Sequence, residues 1–239
     1  MRIAVVSDIH GNLTAFEAVL ADLEKTAPDV VFHGGDMADA GSGSAEIVDR
    51  IRDFGWKGVA GNTDQMLAIP ETLESFARKS PKLARLWDVL REMAAATREL
   101  LGEERLLWLR DLPLVHVRGP IAIVHASPED PWSAPSSHAT DQELNARYSS
   151  LTQPIVIYGH IHHPFVRRIG PLTVANSGSV GLPYDGDRRA GYLLIDDSKI
   201  EIRRVEYDLA GELQALRRSG IPHAEWVART LESGSPQMP

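Results

Sequence analysis

Short apolar runs that end at glycine or polar residues organise the first part of the chain. Five of them, rich in Val, Ile and Ala, lie near residues 2–6, 29–32, 57–60, 121–125 and 155–158. Runs of this length and composition predict buried strands. Between the first two, a set of apolar residues recurs at helical spacing and predicts an amphipathic helix: Leu13, Phe16, Val19, Leu20 and Leu23. A strand–helix–strand order predicts parallel pairing through a right-handed crossover.

The second half of the chain has shorter connections between its apolar segments. Strands are predicted near residues 165–169, 172–175, 190–196 and 199–205, and the turns within each pair contain Gly or Asp. Such short turns predict antiparallel hairpins. The whole pattern predicts an α/β fold with two packed sheets flanked by helices, as a single domain over residues 1–232. The tail 233–239, rich in Ser, Gly and Pro, is predicted to be disordered.

A long segment between the apolar runs near residues 57–60 and 121–125 differs in composition from the predicted strands. Residues 71–79 and 82–110 are rich in Ala, Leu, Glu and Arg and predict a helical insert over about 71–110. Its apolar residues lie three or four positions apart: Leu83, Leu86, Trp87, Leu90, Met93 and Ala94. Two interpretations are open. The insert adds packing to the core, or it forms a cap over the strand ends or a face for a homodimer.

Composition limits the classes of function. The chain has 239 residues, a net charge of −8 and no cysteine, which excludes disulfides and thiolate metal sites. No apolar run approaches the roughly 18 residues that would span a membrane, and no signal region precedes the first strand. These features predict a cytoplasmic protein without a membrane partner. The acidic balance argues against nucleic acid as a partner.

Potential metal ligands follow each of the five apolar runs. If the pairs two residues apart lie in extended backbone, both side chains of a pair project to one side. Glycines before two of these residues allow positive φ and close approach of the backbone. Strand ends in α/β sheets are where ligands bind, so we expect these side chains to converge. The candidate ligands are Asp8, His10, Asp36, Asn62, His125, His160 and His162.

In order and spacing, these elements resemble the calcineurin-like metallophosphoesterase family. Its pattern is Asp-x-His, Gly-Gly-Asp, Gly-Asn, a lone His after a strand, and Gly-His-x-His, and each is present between Asp8 and His162. The segment from Asn176 to Asp187 also resembles a loop of the small prokaryotic branch of phosphodiesterases and dinucleoside polyphosphate hydrolases. The resemblance covers roughly residues 1–205. It implies a four-layer α/β/β/α sandwich of two mixed sheets, interrupted by the insert.

The resemblance further implies two divalent or trivalent metal ions. The first would be held by Asp8, His10, Asp36 and His162. The second would be held by Asp36, Asn62, His125 and His160, so that Asp36 bridges the two ions. Imidazole and carboxylate ligands suit manganese, iron or zinc, with cobalt and nickel as alternatives. The resemblance assigns catalytic roles to Asp36, which would bridge the ions, and to Asn62 and His125, which would orient the reacting groups as well as bind metal.

The family's mechanism is attack of a metal-bound hydroxide on phosphorus, in line with the leaving group. Many members have a histidine after Gly-Asn that protonates the leaving group, but this chain has Thr63. We therefore expect a small substrate with a weakly basic leaving group, namely a nucleotide-like phosphodiester or phosphoanhydride. If another acid is present, the candidates are His33, His138 and Asp64. Two further departures from the family pattern, Ser177 and Tyr184, concern substrate contacts.

Three alternatives use the same fold. A protein serine/threonine phosphatase would share the ligands, although its alkoxide leaving group makes the missing histidine a handicap. A non-catalytic scaffold would not need the complete set of ligands that this chain has. A nuclease would be expected to carry a basic tract, which the sequence lacks.

Overall fold

Two five-stranded mixed sheets form the centre of the molecule in the computed structural model, which describes residues 1–197 and 199–239. The first sheet has the order β10-β9-β1-β2-β3. Its strands β1 (Arg2–Val6), β2 (Val30–His33) and β3 (Lys57–Gly58) are parallel, as the strand–helix–strand order predicts. Strands β9 (Ala190–Asp196) and β10 (Lys199–Val205) form an antiparallel hairpin beside β1. Ser198, which the sequence predicts to lie in a turn, is outside the described residues.

The second sheet contains one strand that the sequence pattern did not predict. Its order is β4-β5-β6-β8-β7, and the strands are β4 (Val115–Arg118), β5 (Ile121–Val124), β6 (Ile155–Tyr158), β7 (Phe165–Ile169) and β8 (Leu172–Asn176). The unpredicted strand β4 pairs antiparallel with β5 at the sheet edge. Polar residues alternate with valines in β4, and its outer half is exposed, so it forms no apolar run.

Helices cover both outer faces of the paired sheets. They are α1 (Leu13–Thr26), α2 (Ser44–Asp53), α3 (Asn62–Ala68), α4 (Glu71–Ala77), α5 (Ala84–Arg110), α6 (Asp141–Tyr148), α7 (Leu209–Arg218) and α8 (Ala224–Ser233), with a 3-10 turn at Pro81–Leu83. Helix α1 begins where predicted because the side chain of Asn12 accepts a hydrogen bond from the backbone N–H of Ala15, at 3.0 Å.

Successive side chains of a central strand point to opposite faces of its sheet, and this alternation produces the layers of the fold. In β1, Ile3 and Val5 pack between the two sheets, whereas Ala4 and Val6 pack against the helices of the first face. In β5, Ile123 likewise faces the other sheet. Because the central strands are buried on both faces, they appear in the sequence as continuous apolar runs. The predicted sandwich of two mixed sheets is confirmed.

The insert is helical, as predicted, and one face of it belongs to the core. Ala94, Leu101 and Leu109 of α5 are buried in the core. Arg105 of the same helix forms an ion pair with Asp49 of α2, with an Nη2–Oδ2 distance of 2.5 Å. The helix is interrupted at Gly102, which has a φ of 69°. The packing interpretation therefore holds, and a second face of α5 lines the cavity described below. A role in dimer contacts stays a prediction.

The C-terminal tail, predicted to be disordered, is placed against the domain. The indole Nε1 of Trp226 donates a hydrogen bond to the carbonyl of Gln237, at 2.8 Å. In the part of the chain that the structure describes, no helix is long and apolar enough to cross a membrane.

Candidate metal centre

Strand ends from both sheets meet at one place and bring all the predicted ligands together. Asp8 and His10 follow β1, Asp36 follows β2, Asn62 begins α3, His125 follows β5, and His160 and His162 follow β6. Asn62 and His160 are half-buried and the other five are buried. Because these side chains are buried or half-buried, the backbone around them restricts where their donor atoms lie.

One group of donor atoms surrounds Asp8. The Nε2 atom of His162 lies 3.1 Å from Oδ1 of Asp8 and 3.2 Å from Nε2 of His10. The Nε2 atom of His10 also lies 3.6 Å from Oδ2 of Asp36. Asp8, His10 and His162 are close enough together to hold one metal ion.

A second group of donor atoms lies on the other side of Asp36. The Nε2 atom of His125 is 3.3 Å from Oδ2 of Asp36 and 3.0 Å from Oδ1 of Asn62. The same Oδ1 atom of Asn62 is 2.8 Å from Nδ1 of His160. Asp36 and His125, together with Asp8, can also hold an ion. The Oδ2 atom of Asp36 thus faces histidines of both groups.

Hydrogen bonds at Nδ1 of two histidines determine whether the Nε2 atom of each ring has a lone pair available for a metal ion. The Nδ1 atom of His125 lies 2.8 Å from the carbonyl of Gly34, and that of His162 lies 2.5 Å from the carbonyl of Leu182. A carbonyl only accepts, so each Nδ1 carries a proton, and each ring, when it is neutral, presents an Nε2 lone pair inward. These lone pairs face carboxylate oxygens. Electron pairs converge in this way around a cation, so the donor set fits bound metal.

Burial and neighbouring charges shift the pKa values of the candidate ligands in different directions. Burial alone would raise the pKa of Asp36, but the neighbouring His125 lowers it well below the usual range. Burial would lower the pKa of His125, but the carboxylate of Asp36 raises it to about 10. Burial lowers the pKa of His10 to about 4. In metal-free protein the proton on His125 compensates the buried carboxylate, and metal binding would displace it.

The backbone at the ligands differs from the expected conformation. For the two pairs we expected extended backbone, but Asp8, His10, His160 and His162 have φ values of 55°, 49°, 66° and 55°, and Asp36 has a φ of 54°. This left-handed region costs a residue with a side chain about 1–2 kcal/mol. Hydrogen bonds between the loops hold it, such as those from Asp8 N to the Gly35 carbonyl and from His10 N to the Asp36 carbonyl, both 3.0 Å. Strain of this kind concentrates at functional sites.

Two glycines are needed for space around the carboxylates. A Cβ atom at Gly61 would overlap Oδ1 of Asp36, and one at Gly159 would lie 2.4 Å from Oδ2 of Asp8. Gly61 has a φ of −89°, so close approach and not positive φ explains this glycine. Gly35 has a φ of 89°, so both positive φ and close approach of the backbone explain this glycine.

Asp64 holds the backbone beside the candidate ligands. It does not line the cavity, so it is not placed to donate a proton to a leaving group. Its carboxylate accepts hydrogen bonds from the backbone N–H groups of Asp36, Met37 and Gly61, at 2.8, 3.1 and 2.9 Å. Burial, together with the nearby Asp36, raises the pKa of Asp64 to about 7. Its position three residues after Gly61 is the N3 position of a capping box, a signal that was present in the sequence.

The other two candidate acids lie away from the donor atoms. His33 is fully buried beside Trp108, with ring centroids 6.2 Å apart, and burial lowers its pKa to about 3. His138 lines a separate surface hollow together with Glu143 and Arg147. Neither histidine lines the cavity at the metal centre.

A cavity of about 320 Å³ opens beside the candidate ligands, and sequence reasoning missed one of its acidic residues. Asp39 lines it, is 2% exposed, and accepts a hydrogen bond from Oγ1 of Thr97 on the insert, at 3.0 Å. Burial raises the pKa of Asp39 to about 6. The signal was a second acidic residue three positions after Asp36, in Gly-Gly-Asp-Met-Ala-Asp.

We expect Asp39 to make metal-free protein less stable as the pH rises. Its pKa is about 6 in the folded chain and 3.8 ordinarily, so the folded state binds the proton more tightly. The stabilising effect of that proton is complete below pH 3.8 and is lost as pH rises through 6. From pH 4 to pH 7, the free energy of unfolding of wild type relative to Asp39→Asn should fall by about 2 kcal/mol. Denaturant titrations with a chelator measure this difference. The exposed Asp53→Asn is the matched control, and a parallel dependence in wild type and Asp39→Asn would refute the assignment.

Comparisons with known proteins agree with the fold. Residues 1–199 match the model of the calcineurin-like phosphoesterase superfamily domain. An uncharacterised protein of Methanocaldococcus jannaschii is 34% identical, covering 97% of this chain and 98% of that protein. Phosphodiesterase YfcE of Escherichia coli K12 is 24% identical over 84% of this chain and 91% of its own length. The crystal structure of a metallophosphoesterase from Sphaerobacter thermophilus, 27% identical, covers 98% of this chain and 100% of its own with a TM-score of 0.81.

The chain therefore belongs to the calcineurin-like phosphoesterase superfamily, a family of metal-dependent hydrolases of phosphate esters. The resemblance seen in the strand-end motifs is confirmed.

Proposed function

We propose that the protein is a dinuclear-metal phosphoesterase that hydrolyses phosphodiester or phosphoanhydride bonds of small substrates. One observation carries the proposal: Oδ2 of Asp36 lies 3.6 Å from Nε2 of His10 and 3.3 Å from Nε2 of His125. A single carboxylate oxygen thus adjoins both groups of donor atoms. The first ion would be held by Asp8, His10, Asp36 and His162, and the second by Asp36, Asn62, His125 and His160.

Two bound ions would supply a nucleophile near neutral pH and stabilise negative charge on the phosphoryl oxygens. The chain's own residues orient these parts. The backbone N–H of Thr63 donates to Oδ1 of Asp36, at 2.8 Å, which leaves Oδ2 turned toward the histidines. The backbone N–H of His160 donates to Oδ1 of Asp8, at 3.0 Å, and helps to hold that carboxylate in place. Such supporting hydrogen bonds typically change metal affinity or activity 10–100-fold.

Thr63 supports the choice of substrate class. Its side chain lines the cavity and lies 3.4 Å from the carbonyl of Ala38. A threonine hydroxyl does not donate its proton to a leaving group near neutral pH, so a leaving group that is already a weak base is favoured. The name of the E. coli relative, a phosphodiesterase, agrees with this class. The convergence of all the candidate ligands argues against the scaffold alternative.

The test is metal analysis of the purified protein followed by assays with phosphate esters. We expect about two ions per chain, and hydrolysis of bis(p-nitrophenyl) phosphate that a chelator abolishes and added Mn²⁺ restores. Zinc and iron are assayed in parallel, because the ligand set suits all three metals. Full activity with one ion per chain would contradict the dinuclear proposal. Absence of hydrolysis in fully metal-loaded protein would contradict the enzymatic one.

A further inference from the structure

The cavity beside the metal centre has two chemically different sides. One side carries the candidate ligands His10, Asp36, Asn62, His160 and His162. The rest of the lining is largely apolar and includes Leu86, Leu90, Met93, Leu182, Tyr184 and Trp226. The first three lie four and three positions apart on α5, so they share one face of that helix. The insert therefore contributes a wall to the cavity as well as packing to the core.

The charge of the residues that line the cavity limits which substrate groups the cavity can bind. Among the described residues that line it, none is a lysine or an arginine, and Asp39 adds an acidic group. Bound ions would neutralise one phosphoryl group, but each additional phosphate of a polyphosphate chain would be desolvated without a cationic partner. Burying charge unpaired is costly, whereas an apolar group gains from leaving water.

Two aromatic side chains fix the shape of the apolar side. The ring of Tyr184 stacks on that of the candidate ligand His162, with centroids 4.3 Å apart and an interplanar angle of 23°. Trp226 is held by its hydrogen bond to the carbonyl of Gln237, at 2.8 Å. Tyr184 thus lies at the border between the donor atoms and the apolar wall. Aromatic side chains in such positions offer apolar area and favourable contacts to another ring.

From this arrangement we propose that the cavity binds an aromatic or apolar ester substituent of a phosphodiester and disfavours polyphosphate chains. The inference rests on the proposed function and narrows it, since phosphoanhydrides become the poorer substrates. The volume of about 320 Å³ is at the lower end of the range for small-molecule sites, which suits a phosphoryl group with one ring system.

A series of p-nitrophenyl phosphodiesters tests the proposal, because all members share one leaving group. The second ester substituent is methyl, phenyl or 1-naphthyl, and the measured quantity is kcat/KM with Mn²⁺. We expect an increase of about tenfold or more from methyl to naphthyl, as burial of additional apolar area predicts. Diadenosine tetraphosphate should be turned over at least about tenfold less efficiently than the naphthyl diester. Equal values across the series, or a preference for the tetraphosphate, would overturn the inference.

Substitutions on α5 locate the effect. Leu86 is half-buried and lines the cavity, so Leu86→Ala should lower the naphthyl-to-methyl ratio of kcat/KM about fivefold. Leu100, on the same helix but 54% exposed and outside the cavity lining, provides the matched control Leu100→Ala, which should keep the wild-type ratio. An unchanged ratio in Leu86→Ala would contradict the assignment of this wall.

A binding measurement separates failure of this inference from failure of the proposed function. Calorimetry of Mn²⁺-loaded protein compares methylphosphonate with 1-naphthylphosphonate, neither of which needs to be hydrolysed. We expect about tenfold tighter binding of the naphthyl compound. If no diester is hydrolysed, the proposed function fails, while this difference in affinity would still support an aromatic subsite. Equal affinities would overturn the subsite whatever the assays show.

Discussion

The Asp36→Asn variant should fold normally and lose at least about 10³-fold in kcat, or about 4 kcal/mol of transition-state stabilisation. The amide keeps the shape of the carboxylate but removes its negative charge from the place where both groups of donor atoms meet. Both ions would lose a shared ligand at once. The measurements are steady-state kinetics on bis(p-nitrophenyl) phosphate and metal content per chain.

Controls separate this effect from damage to the fold. Asp53→Asn makes the same chemical change at an exposed position at the end of α2 and should keep wild-type kinetics. Circular dichroism and thermal unfolding of both variants in a chelator report on folding without metal. An Asp36→Asn protein with full metal content and near wild-type rates would defeat the two-metal proposal.

The second expected result concerns Thr63, which lies where a proton donor stands in many family members. Without an acid, rates should fall steeply as the leaving group becomes more basic, so alkyl diesters should be poor substrates. Introducing a donor by Thr63→His should raise kcat/KM for alkyl diesters by about 10²-fold, the lower end for acid catalysis, and change that for nitrophenyl diesters little. The readout is the slope of log kcat/KM against the leaving group's pKa.

Thr63→Gln is the matched control for that substitution, because glutamine is similar in size to histidine and has no proton to donate near neutral pH. It should not rescue the alkyl diesters. A flat slope in wild type, with chemistry shown to be rate-limiting, would mean that another acid is in place. Asp39 would then be the first residue to test, because it lines the cavity and burial raises its pKa to about 6.

The positions of the candidate ligands could be predicted from sequence because local signals converge on them. Each follows an apolar run, and strands buried on both faces leave a continuous apolar signature. The conformation of the ligands was not accessible in this way. Left-handed φ at Asp8 or His162 is held by hydrogen bonds from other loops, and no local propensity encodes those bonds. The pairs converge, but not through the extended backbone that we expected.

The cavity wall was beyond sequence reasoning for a similar reason. Leu86 on α5, Tyr184 in the loop before β9 and Trp226 on α8 are far apart in the chain and meet only through packing. Helical spacing predicted that Leu86, Leu90 and Met93 share a face, but it could not distinguish a core face from a cavity face. Strand β4 was missed because half of it is exposed at a sheet edge.

The division of the ligands between the sheets has a consequence for the life of the protein. Asp8 and Asp36 extend from strands of the first sheet, whereas His125 and His162 extend from strands of the second. Ions bound between these ligands would cross-link the two sheets. Neither half of the chain could assemble the centre alone. Since a ligand bound only to the folded state stabilises that state, loaded protein should resist unfolding and proteolysis more than empty protein. The supply of metal in the cell would then govern how long each molecule survives as well as how fast it works.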